Sequence, residues 1–334
     1  MITVHPHPTE LFGMRAHVNG LLVFLDLFAI KDLAKGDPNR RKRFIKVLDR
    51  GVEVMFSVSN AAELSGPQDS SFDNIRSFLD EIGTHWFPVE FDPHVCIEHE
   101  QHSHAPVMCF FDEGLLKTFT ATRINRSPEI KVAGLPASLP SDFFRLGAFM
   151  DWLAPQRESI KLRKAELGSR LKQQILEYWA EYKANPTWLD KRFPQLPFDE
   201  TRRATFVYVN LVRLLILEAK GRAIMPNDGI DFCQAVIGAA YSSVATLDKH
   251  WKRRVEMVMP RPKPNSLATI YYQPELDKMV RDIEKMPRRS VASARLGGVF
   301  KILNRLVSTV PNLARHPKFV GHQRFPKRLL WYCF

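Results

Sequence analysis

Five acidic side chains stand where a parallel α/β chain would bring them together. Asp26 ends the apolar run Leu21-Leu22-Val23-Phe24-Leu25, and Glu63 lies in a helix that follows a second strand. Asp228 and Asp231 open a later helix, and Asp248 closes the short strand Val244-Ala245-Thr246-Leu247. In a parallel sheet the carboxyl ends of strands and the amino ends of the helices that follow share one edge, where sites form. Carboxylates gathered there cannot all stay ionised without a cation, and hard oxygen donors suit Mg²⁺ or Mn²⁺. A cation so held would bind phosphate. Asp228 can face the same site as Asp231, because side chains three apart on a helix are neighbours at ~5–6 Å. Each acid also has a plain alternative. Asp228 and Asp248 suit N-caps, Glu63 suits the positive end of a helix dipole, and Asp26 could pair with Arg43.

The elements that must position these acids follow from the hydropathy pattern. The unbroken apolar run at 20–26 fits a strand buried on both faces. Two helices follow over 27–48, separated at Gly36-Asp37-Pro38. A second strand spans 52–58, and Ser59 or Asn60 caps a helix beginning at Ala61. A helix over 73–82 and a strand over 85–91 continue the alternation of an open α/β sheet. Residues 92–141 have poor periodicity and read as a long loop region with a helical stretch near 114–119. Helical spacing returns over 142–153, 158–183 and 202–220 as an inserted helical cap. The helix over 230–241 and the strand over 244–247 then bring the chain back to the sheet. Further on, helices are expected over 273–286 and 293–308.

The residues carrying the acids also resemble a known group. Leu22-Val23-Phe24-Leu25-Asp26 and Ala61-Ala62-Glu63-Leu64 share the likeness, but Pro226-Asn227-Asp228-Gly229-Ile230-Asp231-Phe232-Cys233-Gln234-Ala235 carries most of it. That stretch continues through Ala239-Ala240-Tyr241 to Ala245-Thr246-Leu247-Asp248-Lys249-His250-Trp251. In order and spacing these pieces resemble the PIN-like nuclease superfamily, over roughly residues 20–92 and 224–252. The resemblance implies a three-layer α/β fold with a central, mostly parallel sheet, here with a helical insertion and a basic helical carboxyl-terminal segment. It implies a metal-dependent ribonuclease or deoxyribonuclease, of which a ribonuclease is the expectation here, with Asp26, Glu63, Asp231 and Asp248 as catalytic acids. With Asp228 they would ligate one or two Mg²⁺ or Mn²⁺ ions. The metal would polarise the phosphodiester and activate a water for in-line attack, leaving a 5′-phosphate and a 3′-hydroxyl. Toxin or defence-effector roles are part of what the likeness implies. A competing expectation is a nucleic-acid-binding or regulatory module on the same fold that does not cleave. A phosphohydrolase would want a second acid two residues after Asp26, where Phe28 stands.

Composition bounds these readings. With 334 residues, 45% hydrophobic and 25% charged, the chain can bury a core and is no disulfide-stapled miniprotein. Cys96, Cys109, Cys233 and Cys333 form no CxxC pair, so a reducing, cytoplasmic setting is expected, with neither export nor membrane insertion. The formal net charge of +12 is uneven: residues 249–334 hold 19 basic and five acidic side chains, a net of +14, leaving −2 for residues 1–248. A nuclease domain over 1–252, with its insertion at 93–223, would thus be followed by a basic segment over 253–334. Lys252, Arg253, Arg254, Arg261, Lys263, Arg288 and Arg289 are the expected nucleic-acid contacts. A homo-oligomer or an inhibitory partner is left open. His94, Cys96, His99, His102, His104 and Cys109 are ligand types for Zn²⁺, but no paired frame organises them, and a solvated loop fits them as well.

Overall fold

In a computed structural model of the chain, the described residues are 2–5, 13–16, 20–64, 70–103, 112–126, 143–219, 225 and 228–286. Two units emerge, Met1–Arg289 and Ser290–Phe334. The second, with the helix expected at 293–308, lies outside the described residues.

Strands β1 (Ile2–His5) and β2 (Gly13–Ala16) pair antiparallel by themselves. The main sheet holds β3 (Leu22–Phe24), β4 (Glu53–Phe56), β5 (Trp86–Pro88), β6 (Val244–Thr246) and β7 (Thr269–Tyr271). Their order is β5-β4-β3-β6-β7 and every pairing is parallel. The chain first builds outward from β3 through β4 to β5, then crosses back to add β6 and β7 on its other side. The order therefore reverses between β3 and β6, where Phe24 sits opposite Ala245.

Helices cover both faces, and the pleat decides which strand residues meet them. Val23, Val54, Phe56 and Trp86 enter one core, Leu22, Phe24, Met55 and Ala245 the other. The first core is closed by α1 (Leu27–Lys35), α2 (Pro38–Leu48), α4 (Ser70–Ile82), α6 (Glu113–Arg126), α7 (Leu146–Leu153) and α13 (Leu276–Lys285). The second is closed by α5 (Pro93–His102), α8 (Arg157–Ala184), α9 (Thr187–Arg192), α10 (Arg203–Glu218), α11 (Asp228–Tyr241) and α12 (Lys249–Val258). The short α3 (Val58–Leu64) follows β4. Helix α11 is buried at nearly every position, and its small residues permit that. A Cβ on Gly229 would come within 2.5 Å of the Gly168 Cα in α8, and one on Gly238 would lie 3.0 Å from the Phe24 ring.

The α/β character, the parallel sheet and the inserted helices agree with the sequence reading, while three details differ. Helix α3 starts at Val58, because Ser57 is its cap: Ser57 Oγ accepts from the Asn60 backbone N–H at 3.3 Å, and the side-chain Oδ1 of Asn60 accepts from the Ser57 backbone N–H at 2.9 Å. The region expected as loop contains α5, and the helical stretch expected near 114–119 is part of α6, which runs longer. In α5 the buried residues Pro93, Cys96, Ile97 and Glu100 have ideal helical spacing, but two are not conventionally apolar and the periodicity is hidden. The sheet also runs past the boundary expected at residue 252, since β7 pairs with β6 and the compact unit extends to Arg289. Strand β7 was missed because it is three residues long and lies close behind the proline-rich stretch at 260–264. Among the described residues, no helix is long and apolar enough to cross a membrane.

Candidate functional site at the carboxyl edge of the sheet

Asp26 and Asp248 lie at one edge of the sheet, at the ends of the adjacent strands β3 and β6. Asp26 follows β3 and caps α1, its Oδ1 accepting from the Ala29 amide at 2.9 Å. It is 7% exposed and is held from the neighbouring strand as well. The Thr246 hydroxyl accepts from the Asp26 amide at 2.8 Å and lies 3.0 Å from Oδ1, to which it can donate. Two residues after Thr246, Asp248 caps α12 through Oδ1, which accepts from the Trp251 amide at 2.7 Å. Asp26 and Asp248 thus flank the point where strand order reverses, the usual position of a ligand crevice in an open α/β sheet. Arg43, the alternative partner of Asp26, is instead ion-paired with Glu284.

The end of β4 is joined to this edge by side-chain hydrogen bonds. The side-chain Nδ2 of Asn60 donates to the Leu25 carbonyl at 3.0 Å, and Gln234 on α11 donates to Ser59 Oγ at 3.3 Å. Asn60 is therefore a buried strut. Asp231, half-buried, lies one turn before Gln234, so α11 presents it from the side that meets α3. Asp228 Oδ2 accepts from the Met225 amide at 2.7 Å and closes the turn into α11. Glu63 lies in α3, with its side chain outside the described residues. Among the described residues no three His, Cys, Asp or Glu side chains gather as a metal-binding group.

The same edge carries acids that the sequence reading passed over. Glu90 and Asp92 follow β5, and Asp112 precedes α6. Glu90 Oε1 accepts from the amides of Phe91 and Asp92, both at 2.9 Å. Asp92 caps α5 by accepting from the His94 amide, and Asp112 accepts from the Leu115 amide. Burial, followed by repulsion from Asp112, pushes the Glu90 carboxyl up to about 7. Burial also raises Asp92, against the pull of His94, and raises Asp112. It lowers His94, whose Nε2 is 3.2 Å from the Tyr208 hydroxyl. The buried Cys233 thiol connects the two acidic groups, since burial and then Asp92, Asp231 and Glu90 all raise it. The available signal was an acid two residues beyond the end of a strand, the relation Asp26 has to β3. It was missed because the expected strand ran through Phe91 and enclosed Glu90.

The cations nominated for nucleic acid are divided in fate. Lys252 donates to Glu275 at 2.8 Å and to the Ile270 carbonyl at 3.0 Å. Arg254, 7% exposed, pairs with Glu218 at 2.9 Å and lies over the Trp251 ring. Lys263 donates to the Leu267 carbonyl at 2.8 Å, whereas Arg253 and Arg261 are exposed and Arg288 and Arg289 lie outside the described residues. The histidines and cysteines of 94–109 are dispersed where described: Cys96 is buried in the core, and His102 Nδ1 lies 2.7 Å from the Glu98 carbonyl of its own helix. His104 and Cys109 are outside the described residues. No protein-family model, curated protein or solved structure matches the chain.

Proposed function

We propose that this edge is the active site of a metal-dependent nuclease, with RNA rather than DNA as its substrate. The observation that carries the reading is the clamp between Asp26 and Thr246. An N-cap needs only the hydrogen bond from Ala29. A second constraint, reaching across from β6 at the reversal point, fixes both the backbone and the carboxylate of Asp26. Catalytic constellations need such support, because a displacement of ~1 Å can cost ~100-fold in rate.

The donor chemistry suits Mg²⁺ or Mn²⁺: Asp26 and Asp248 offer carboxylate oxygens from adjacent strand ends, and Asp231 offers a third from α11. Bound there, the ion would supply a water of lowered pKa and a Lewis acid for the phosphodiester. The chain's own contribution is orientation. Thr246 and the Ala29 amide fix Asp26, the Trp251 amide fixes Asp248, and the Gln234–Ser59 bond sets the side of α11 from which Asp231 approaches.

A second reading, a nucleic-acid-binding module without cleavage, is favoured by one observation: Asp26 and Asp248 both act as helix caps and no three-acid group is assembled among the described residues. The test is cleavage of end-labelled single-stranded RNA and DNA with Mg²⁺ or Mn²⁺, with and without chelator, alongside Mn²⁺ binding followed by electron paramagnetic resonance. Asp26→Asn keeps an acceptor for the Ala29 amide while removing the charge, so it should retain the fold and lose both Mn²⁺ binding and cleavage. Equal cleavage by wild type and variant refutes the site; metal-independent RNA binding without cleavage supports the second reading.

A further inference from the structure

The first helix of the site exposes a feature that packing does not explain. Phe28, in the first turn of α1 and two residues after Asp26, is 56% exposed, and among the described residues it is the one aromatic of the large apolar side chains left in solvent. Helix α1 has adequate apolar residues for its buried face without it, namely Ala29, Ile30, Leu33 and Ala34. The opposite face carries Phe28, Lys31 and Lys35, all exposed and spaced i, i+3, i+7, so they form one stripe. Among the described residues neither lysine is engaged in an ion pair, in contrast to Arg40, Arg41 and Arg43 on the neighbouring α2. At ~1.5 Å per residue the stripe runs ~10 Å along the helix, the axial length of about three nucleotides at ~3.4 Å each. An aromatic followed by cations is the pattern that stacks a base and tracks a phosphate backbone.

We infer that the exposed face of α1 is a single-strand track, with Phe28 stacking an unpaired base beside the Asp26 edge and Lys31 and Lys35 holding the flanking phosphates. The inference rests on the proposed nucleic-acid function and names its substrate as unpaired. Double-stranded substrate is excluded from it, because a base can reach the Phe28 ring only when it is unstacked from its neighbours.

The test uses the full chain and a short single-stranded oligoribonucleotide carrying 2-aminopurine, bound in the presence of chelator so that no cleavage occurs. Phe28→Ala should weaken binding by about 5- to 150-fold and abolish the fluorescence quenching, and Phe28→Trp should restore both. Because Phe28 is exposed, neither change should alter the melting temperature. Lys31→Gln with Lys35→Gln should reduce the slope of log affinity against log salt by about 1.4, at ~0.7 per phosphate contact on a single strand. Lys42→Gln with Lys46→Gln, exposed on α2, is the comparison. An equal loss in that pair, or wild-type binding and quenching in Phe28→Ala, overturns the track. Cleavage by wild type with Phe28→Ala indifferent removes the track and leaves the nuclease reading. Phe28-dependent binding without cleavage under any metal does the reverse.

Discussion

Replacing Glu90 by glutamine tests the electrostatics of the carboxyl edge directly. The change is nearly isosteric, and the glutamine oxygen can still accept from the Phe91 and Asp92 amides, so the local turn should persist. What disappears is a negative charge held close to Asp112 and Asp92, with His94 as the nearby basic group and the Cys233 thiol on α11 behind it. The Glu90 carboxyl is raised from 4.5 to about 7. A raised carboxyl means that the folded chain binds its proton more tightly than the unfolded chain does. Below pH 4.5 both states are protonated and the charge costs nothing; between 4.5 and about 7 stability falls as pH rises; above about 7 the whole penalty is present. At ~1.4 kcal/mol per pH unit, that interval amounts to about 3 kcal/mol. Urea unfolding of both proteins at a series of pH values reports Glu90 together with Asp112 and Asp92, to which it is coupled, because titrations away from this edge cancel in the difference. Glu90→Gln should match wild type near pH 4.5 and exceed it by up to about 3 kcal/mol near pH 8.5. A difference that does not change with pH, or that grows toward acid, refutes the reasoning, as would a carboxyl resonance for Glu90 titrating near its ordinary value.

Other positions give equally definite expectations. Glu100, 1% exposed at the end of α5, accepts at one oxygen from the Ala204 amide and the Tyr241 hydroxyl and at the other from the amide and hydroxyl of Thr205. Glu100→Gln would turn a donor toward two donors and should cost about 3 kcal/mol in denaturant unfolding; a loss below ~0.5 kcal/mol would contradict this account of how α10 begins. Thr246→Val keeps the shape of the side chain but orphans the buried Asp26 amide, so it should lower stability by about 1–3 kcal/mol and reduce cleavage, with Thr246→Ser restoring both. Valine behaving like serine in both measurements would remove the clamp from the argument.

The amino-terminal half of the sheet was legible because its signals are local and strong. A run such as Leu22 to Leu25 reads as a strand buried on both faces, and the acid ending it marks the carboxyl edge. A short strand ended by an acid nominated Asp248, and an acid opening a helix nominated Asp231, although neither pattern could show that Thr246 reaches across to Asp26, a contact 220 residues apart in sequence. Helix α5 was illegible for a different reason. Its buried face uses Cys96 and Glu100, and Glu100 is tolerated inside only because the start of α10 supplies donors from a distant part of the chain. Charge was the weakest guide. The basic surplus after residue 248 pointed to nucleic-acid contacts, yet Lys252 and Arg254 are tied to Glu275 and Glu218, acids that local sequence does not connect to them. Conversely Lys31 and Lys35, in the nearly neutral part of the chain, remain in solvent.

The fifth strand has a practical consequence for anyone who trims the chain. Ending it at residue 252 would strip β7 from β6 and leave Val244, Ala245 and Thr246, all buried, along an open sheet margin. Their unpaired amides and carbonyls would be a template for a second copy, on a strand that bears no charge to discourage pairing. Such a fragment should self-associate through its sheet, whereas one ending near residue 289 keeps β6 covered and α13 clipped to α2 through Glu284 and Arg43.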